Sequence, residues 1–148
     1  MKISKGKFKP KNPQKYKGNP TEIFYRSSWE FRYMMELDHN KDVISWSSEE
    51  IAIPYRSPLD GEIHRYFVDF FVERLNKNGK TEKFLIEIKP NYQTKEPEMT
   101  PRKRKKTYLT EVMTYGINKA KWKAAESFCE YKGWKFQILT EIELGIKN

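Results

Sequence analysis

The stretch "HRYFVDFFVERLNKNGKTEKFLIEIKP" (residues 64–90) decides how this chain folds. Two apolar, aromatic-rich runs flank a polar turn, and three charged side chains, Asp69, Glu87 and Lys89, interrupt them. With the period-two alternation of a strand, Tyr66, Val68, Phe70 and Val72 share one face, and Phe67, Asp69, Phe71 and Glu73 the other. In the second run Phe84, Ile86 and Ile88 face one way, and Leu85, Glu87 and Lys89 the other. The turn decides whether the carboxylates meet. A two-residue Asn78-Gly79 hairpin pairs Lys77 with Lys80, sets Asp69 against Ile88 and sends Glu87 to the far side of the sheet. A three-residue loop, Lys77-Asn78-Gly79, pairs Asn76 with Lys80 and sets Asp69 against Glu87 on one face. Such loops end on a residue in the left-handed region, and Gly79 stands at that place. The convergent register is therefore the expectation.

Two opposed carboxylates repel each other. A divalent cation offsets that repulsion, since Mg²⁺ is held by one or two carboxylates plus waters and a substrate phosphate. Lys89, two residues beyond Glu87, lies beside the same place and suits the stabilisation of developing negative charge or the orientation of a water. A solvent-facing cluster of Asp, Glu and Lys is the plainer alternative. The D…E-x-K pattern alone is cheap, for Glu130 and Lys132 repeat its E-x-K half inside an expected helix. Glu30 is a third carboxylate of interest. Arg26, Tyr33, Met34 and Leu37 lie four before it and three, four and seven after it, which puts it on or beside an apolar stripe. Ser27-x-x-Glu30 also fits a capping box, with Glu30 reaching back to the Ser27 amide.

Working outward, residues 27–40 read as a helix capped by Ser27. Strands are expected over 43–47 and 50–55, then, after the "LDGE" turn at 59–62, over 63–74 and 83–89. Residues 91–101, with Pro97 and Pro101, read as a loop. Leu109, Val112, Met113, Gly116 and Ile117 fit the inner face of a helix. Asn118 can cap another over 119–132, with Ala120, Trp122, Ala124, Ala125 and Phe128 inside, and Gly133 stopping it. A last strand covers 135–141. This order gives a mixed α/β fold, a central sheet flanked by helices.

A chain of 148 residues suits one domain, and its formal charge of +9 is uneven. Residues 1–20 hold seven lysines (2, 5, 7, 9, 11, 15 and 17) and no acid, and "RKRKK" at 102–106 adds five charges, leaving −3 for the remainder. The first twenty residues, with three prolines, read as an extended basic arm ahead of a domain over 21–148. The basic segments suit either a solvated tail or phosphate-neutralising contacts with nucleic acid, with Phe8 and Tyr16 available to stack on bases. Arg102, Lys103 and Arg104 are candidate DNA contacts on the same ground, and His64 and Arg65, just before the strand, point to phosphate or solvent. Lys119, Lys121 and Lys123 do not share a helix face. No run is long and apolar enough for a membrane span or a signal segment, so no membrane partner is expected. The lone Cys129 excludes a disulfide framework and a Cys-based metal site, and suits a reducing intracellular setting. His39 and His64 are too few and too scattered for a zinc site. No Gly-rich phosphate loop and no Ser nucleophile elbow is present.

Five ordered blocks, "SSWEFRYM", "SEEIAIPY", "GEIHRYFVDFFVE", "FLIEIKP" and "INKAKWKAAESFCEYKGWKFQILTE", resemble the head-completion nucleases of large tailed phages and the TnsA-type endonucleases of transposons. Both belong to the PD-(D/E)XK, restriction-endonuclease-like superfamily. The likeness covers about 21–145. It implies a restriction-endonuclease-like core and a metal-dependent DNA endonuclease, using Mg²⁺ or Mn²⁺ in its place. It assigns Asp69 and Glu87 as metal ligands, Glu30 as the first-helix acid that completes the metal site, and Lys89 as the charge-stabilising or water-orienting residue. Gln93, after the E-x-K strand, becomes a candidate contact to water or DNA. Val68 stands where the superfamily's name has proline, which is not a ligand. The phage likeness further implies a role in finishing the packaged head, with head or portal proteins as partners, in the host cytoplasm or on the virion. The alternatives are a non-catalytic head–neck or DNA-binding protein on a nuclease fold, and a transposon end-cleaving subunit.

Overall fold

The computed structural model describes residues 4–146; Lys2 of the basic segment and the last two residues lie outside them. The chain runs β1 (Gly6–Lys7), β2 (Phe24–Tyr25), α1 (Ser28–His39), β3 (Val43–Ser48), β4 (Ala52–Arg56), β5 (Ile63–Phe67), β6 (Phe70–Leu75), β7 (Thr81–Ile88), α2 (Lys105–Lys132), β8 (Lys135–Leu139) and α3 (Glu141–Leu144). A four-stranded sheet in the order β3-β6-β7-β8 is antiparallel except for the parallel pair β7–β8. Parallel neighbours need a long crossover, and α2 is that crossover. The β4–β5 hairpin forms a separate two-stranded sheet. The mixed α/β architecture read from the sequence is the one observed.

Two apolar clusters cover the two faces of the sheet. Trp29, Tyr33, Met34 and Leu37 of α1 pack with Trp46, Phe70, Val72, Phe84, Ile86 and Ile88 on one side. Trp122, Ala125 and Cys129 of α2 pack with Phe71, Leu85, Ile53, Tyr66 and Val68 on the other. Each such large side chain, removed from water, contributes about 1.5–3 kcal/mol. The three-residue loop is the one the chain adopts. Asn76 N–H donates to Lys80 O (2.8 Å), Leu75 opposes Thr81, and Gly79 has φ +76°.

Five expectations are corrected. The strand over 63–74 is two strands in two sheets, broken at Val68-Asp69, where the Val68 amide turns away to Ile51 O (3.2 Å). The break also shifts the alternation: Tyr66 and Val68 lie with Phe71 and Leu85, not with Phe70. The helices expected over 107–117 and 119–132 are one, because a single Gly116 costs only about 1 kcal/mol within a cooperative run of 28 residues. Asn118 is a buried interior residue of α2, not a cap. Only the second half of α2 reaches the sheet, so Leu109, Val112 and Met113, expected to face inward, stay 40–50% exposed. Gly133, at φ +74°, ends the helix by donating to Cys129 O and Glu130 O, as expected.

The basic N-terminal segment is a strap rather than an extended arm. β1 pairs with β2, the Phe8 amide donates to Ile23 O (2.8 Å) and Lys17 N–H to Trp46 O (2.8 Å). Phe8 and Tyr16 are 2% and 6% exposed within the α1-side core, which removes them as base-stacking residues. The chain on either side of residue 20 thus shares one core. Asp38, at the end of α1, anchors the strap by accepting from the amides of Lys11 (2.8 Å) and Asn12 (3.0 Å). Lys15 is spent there too, donating to Asp38 O and Asn40 O, and its burial lowers the ammonium pKa. Among the described residues, no helix is long and apolar enough to cross a membrane.

Candidate active site

The site forms where the hairpin leaves the main sheet. Lys89 N–H donates to Leu139 O on the β8 side, so the preceding amide, Ile88 N–H, points toward the β6 side. There the chain has already diverged. The Asp69 side chain takes the place of the missing backbone partner, its Oδ2 accepting from Ile88 N–H at 2.8 Å. The break in the long strand therefore aims a carboxylate at the end of β7.

Glu87 comes to the same point from β7, on the α2 face, and is only 5% exposed. Tyr66 donates its hydroxyl to Glu87 Oε1 at 2.7 Å. Glu87 Oε2 lies 3.9 Å from Lys89 Nζ, whose side chain keeps 27% of its exposure. Each carboxylate is thus held by one oxygen while the other oxygen faces a cation. For Asp69 that second contact is Oδ1 to the Arg26 guanidinium, at 3.6 Å.

The electrostatics follow from this crowding. Burial first, and then the negative charge of Glu87, hold the Asp69 carboxyl well above the ordinary carboxylate range, against the pull of the Ile88 amide. Glu30 adds to the same repulsion and Lys89 opposes it. Burial also raises Glu30, with Arg26 opposing and Glu49 and Glu87 adding to the rise. Tyr66 is pushed up by burial and by Glu87, so its phenol stays protonated and donates.

Glu30 approaches from the first turn of α1. Ser27 caps the helix, its Oγ accepting from Glu30 N–H at 3.1 Å. The reciprocal half of the expected capping box is displaced by one residue, because Glu30 Oε1 accepts from the amide of Arg26 (3.4 Å) rather than Ser27. The peripheral candidates are scattered. His64 is bonded to Asp60 (2.8 Å) in its own turn. Arg65 lies exposed over the Phe67 ring, at 5.4 Å. Gln93 follows Lys89 in a short helical turn and lines a cavity of about 780 Å³ between residues 91–103 and α2. Lys103 pairs with Glu111 at 2.8 Å, whereas Arg102 and Arg104 are exposed.

Three residues at the site escaped sequence reasoning: Tyr66, Arg26 and Glu49. Tyr66 was hidden by the alternation that breaks at Val68. Arg26 precedes the helix, and its place four before Glu30 marked only the helix face, not a contact with the acids. Glu49 belongs to an ordinary-looking Glu-Glu pair, and only its φ of +53° and its contacts mark it out.

Comparison with known sequences decides the family. The model of the TnsA-like endonuclease N-terminal family matches residues 40–141. This chain belongs to that family. The match holds Asp69, Glu87 and Lys89 and begins after Glu30. The chain is also 42% identical over 139 residues to the head completion nuclease of Enterobacteria phage T4, across 92% of this chain and 90% of that one. Such coverage exceeds what residues 21–148 could supply, so the likeness reaches into the strap. An endonuclease of this family has the mixed sheet and flanking helices of the restriction-endonuclease-like fold, as here.

Proposed function

We propose that this chain is a metal-dependent endonuclease that hydrolyses phosphodiester bonds of DNA. The observation that carries the reading is the meeting of Asp69 and Glu87 at the point where the two sheets part. Their oxygens are hard donors of the kind Mg²⁺ prefers, with Mn²⁺ in its place. Among the described residues no group of three His, Cys, Asp or Glu is gathered closely enough to cage an ion. The residues therefore fit a cation that takes two carboxylates and completes its shell with water and phosphate. Asp69 and Glu87 would hold it, with Glu30 completing the acidic surroundings. When bound, the ion would supply charge neutralisation at the scissile phosphate and a more acidic water.

The chain's own groups do the rest. Tyr66 fixes the rotamer of Glu87 by binding Oε1, which leaves Oε2 on the side of Lys89. Ile88 N–H does the same for Asp69 through Oδ2, presenting Oδ1. Lys89, partly exposed beside Glu87, can meet the negative charge that develops on a phosphate oxygen or orient the attacking water. Arg65, Arg102, Arg104 and Gln93 are proposed DNA contacts, with His64 and Lys103 available only if they leave their present partners. The named function of the phage T4 relative supports a role in completing the packaged head, with head or portal proteins as partners, in the host cytoplasm or on the virion. The test is nicking of plasmid and oligonucleotide DNA with Mg²⁺, Mn²⁺ or EDTA. Cleavage that persists in EDTA, or none with either metal, overturns the reading.

A further inference from the structure

One guanidinium stands among the acids of this site. Arg26 Nη2 lies 2.7 Å from Glu49 Oε1 and 3.6 Å from Asp69 Oδ1, while its Nε is 4.0 Å from Glu30 Oε1. These three carboxylates come from different parts of the fold: the turn after β3, the sheet divergence and the first turn of α1. Glu49 is also the one non-glycine with positive φ among the described residues. Its amide donates to Asp69 O at 3.1 Å, so the same residue grips the backbone of Asp69 and the side chain of Arg26. Backbone outliers of this kind persist where surrounding contacts over-determine them, commonly at functional sites.

Arg26 is still about half exposed, at 53%, so it is not a sealed core ion pair. It is a solvent-reachable cation on the rim of a crowded anionic centre. A planar, delocalised guanidinium can span several carboxylates at once, and an ammonium cannot do so in the same way. An incoming divalent ion and this guanidinium compete for the same negative charge, and each repels the other.

We propose that Arg26 is a built-in counter-cation: it keeps Glu30, Glu49 and Asp69 assembled while no divalent ion is bound, and it is displaced as the ion enters. The proposal rests on the metal-binding reading above and adds a positioning residue that sets the affinity for the ion. Arg26 need not touch the substrate to do this.

The test is Mn²⁺ binding by calorimetry and electron paramagnetic resonance on wild type, Arg26→Gln and Arg26→Lys, with thermal melts in EDTA and in Mn²⁺. Arg26→Gln is expected to bind Mn²⁺ about tenfold tighter, to melt lower without metal, and to gain more from Mn²⁺ than wild type does. Arg26→Lys, which keeps the charge but cannot span the three carboxylates, is expected to fall between wild type and Arg26→Gln. Equal or weaker binding by Arg26→Gln, with wild type binding normally, overturns this proposal and leaves the metal reading intact. A wild type that binds no Mn²⁺ removes both. A second measurement needs no variant: the Arg26 Nε–H resonance of ¹⁵N-labelled wild type is expected to shift or broaden on adding Mg²⁺. A resonance unmoved by bound Mg²⁺ also overturns the displacement.

Discussion

Asp38 and Asp69 are both carboxylates sunk into this fold, and their surroundings differ in kind. Asp38 is 1% exposed, and each of its oxygens accepts a backbone amide from the strap. Asp69 has one amide for two oxygens, and Glu87 stands beside it. The first carboxylate is matched by its donors and fastens one piece of chain to another. The second has a single amide and only a share of the half-exposed Arg26 guanidinium to set against the crowding of a second acid. A buried acid that local donors exhaust is a fastening, while one crowded by a second acid has room for a cation.

The strongest way to break this comparison is to remove the charges. Asp69→Asn and Glu87→Gln should each lower metal-dependent cleavage by on the order of 10³-fold, and Lys89→Ala by roughly 10²-fold. The melting temperature of Asp69→Asn in EDTA should not fall, since the variant relieves repulsion and its amide oxygen can still accept from Ile88. Wild-type rates from either acid variant in a nicking assay would return Asp69 and Glu87 to the status of a surface charge cluster.

The same operation on Asp38 should act on stability instead. Asp38→Ala strands two strap amides and is expected to cost about 2–4 kcal/mol in urea unfolding. Protease cutting before residue 20 should rise with it, because the strap loses its anchor. If Asp38→Ala instead spared stability and reduced cleavage, the two acids would have been assigned the wrong way round.

A third, smaller difference is one of pH. The folded-state pKa of Asp69 lies above its unfolded value near 3.8. The folded form thus binds the proton more tightly, and Asp69 makes the fold less stable as pH rises above that value. In EDTA, the stability of Asp69→Asn relative to wild type should therefore grow as pH is raised upward from about 4. Melts across that range check it, and a constant difference would mean that neither burial nor Glu87 holds the Asp69 carboxyl up.

Much of this arrangement was legible in the sequence, for reasons of parity. The placing of Gly79 was enough to set the β6–β7 register, with Phe70 opposite Ile86, which leaves Asp69 just beyond that pair at the end of β7. The capping preference of Ser27 was enough to start α1 and bring Glu30 to the same end of the fold. What failed was local pattern where tertiary packing overrides it. The strap carries lysines on its outside and hides Phe8 and Tyr16 beneath them, so its composition reads as solvated while two of its side chains are core. The long helix α2 has a dry half and a wet half with similar periodicity, and only the sheet's extent decides which is buried. Tyr66 fell to the wrong face because the strand changes sheets after it, and alternation carries no record of that.

The smallest effect concerns the turn that makes the comparison possible. Gly79 has φ +76° and open space where a Cβ would stand, so Gly79→Ala meets no clash and is strained only through its backbone. That strain is expected to cost about 1 kcal/mol in urea unfolding, with cleavage unchanged. The two readouts separate two responses of the loop. If the chain keeps Asn76 paired with Lys80, stability falls slightly and Asp69 still faces Glu87. If it relieves the strain by slipping to a two-residue turn, every side chain of β7 changes face. Glu87 would then swing to the α1 side, away from Tyr66 and Asp69, and cleavage would collapse along with the fold's stability. A large loss of activity from this one methyl group, far from the carboxylates, would show that the register is held by the turn. Unchanged activity would show that it is held by the buried residues of β6 and β7, where Phe70, Val72, Phe84 and Ile86 already fix which face is which.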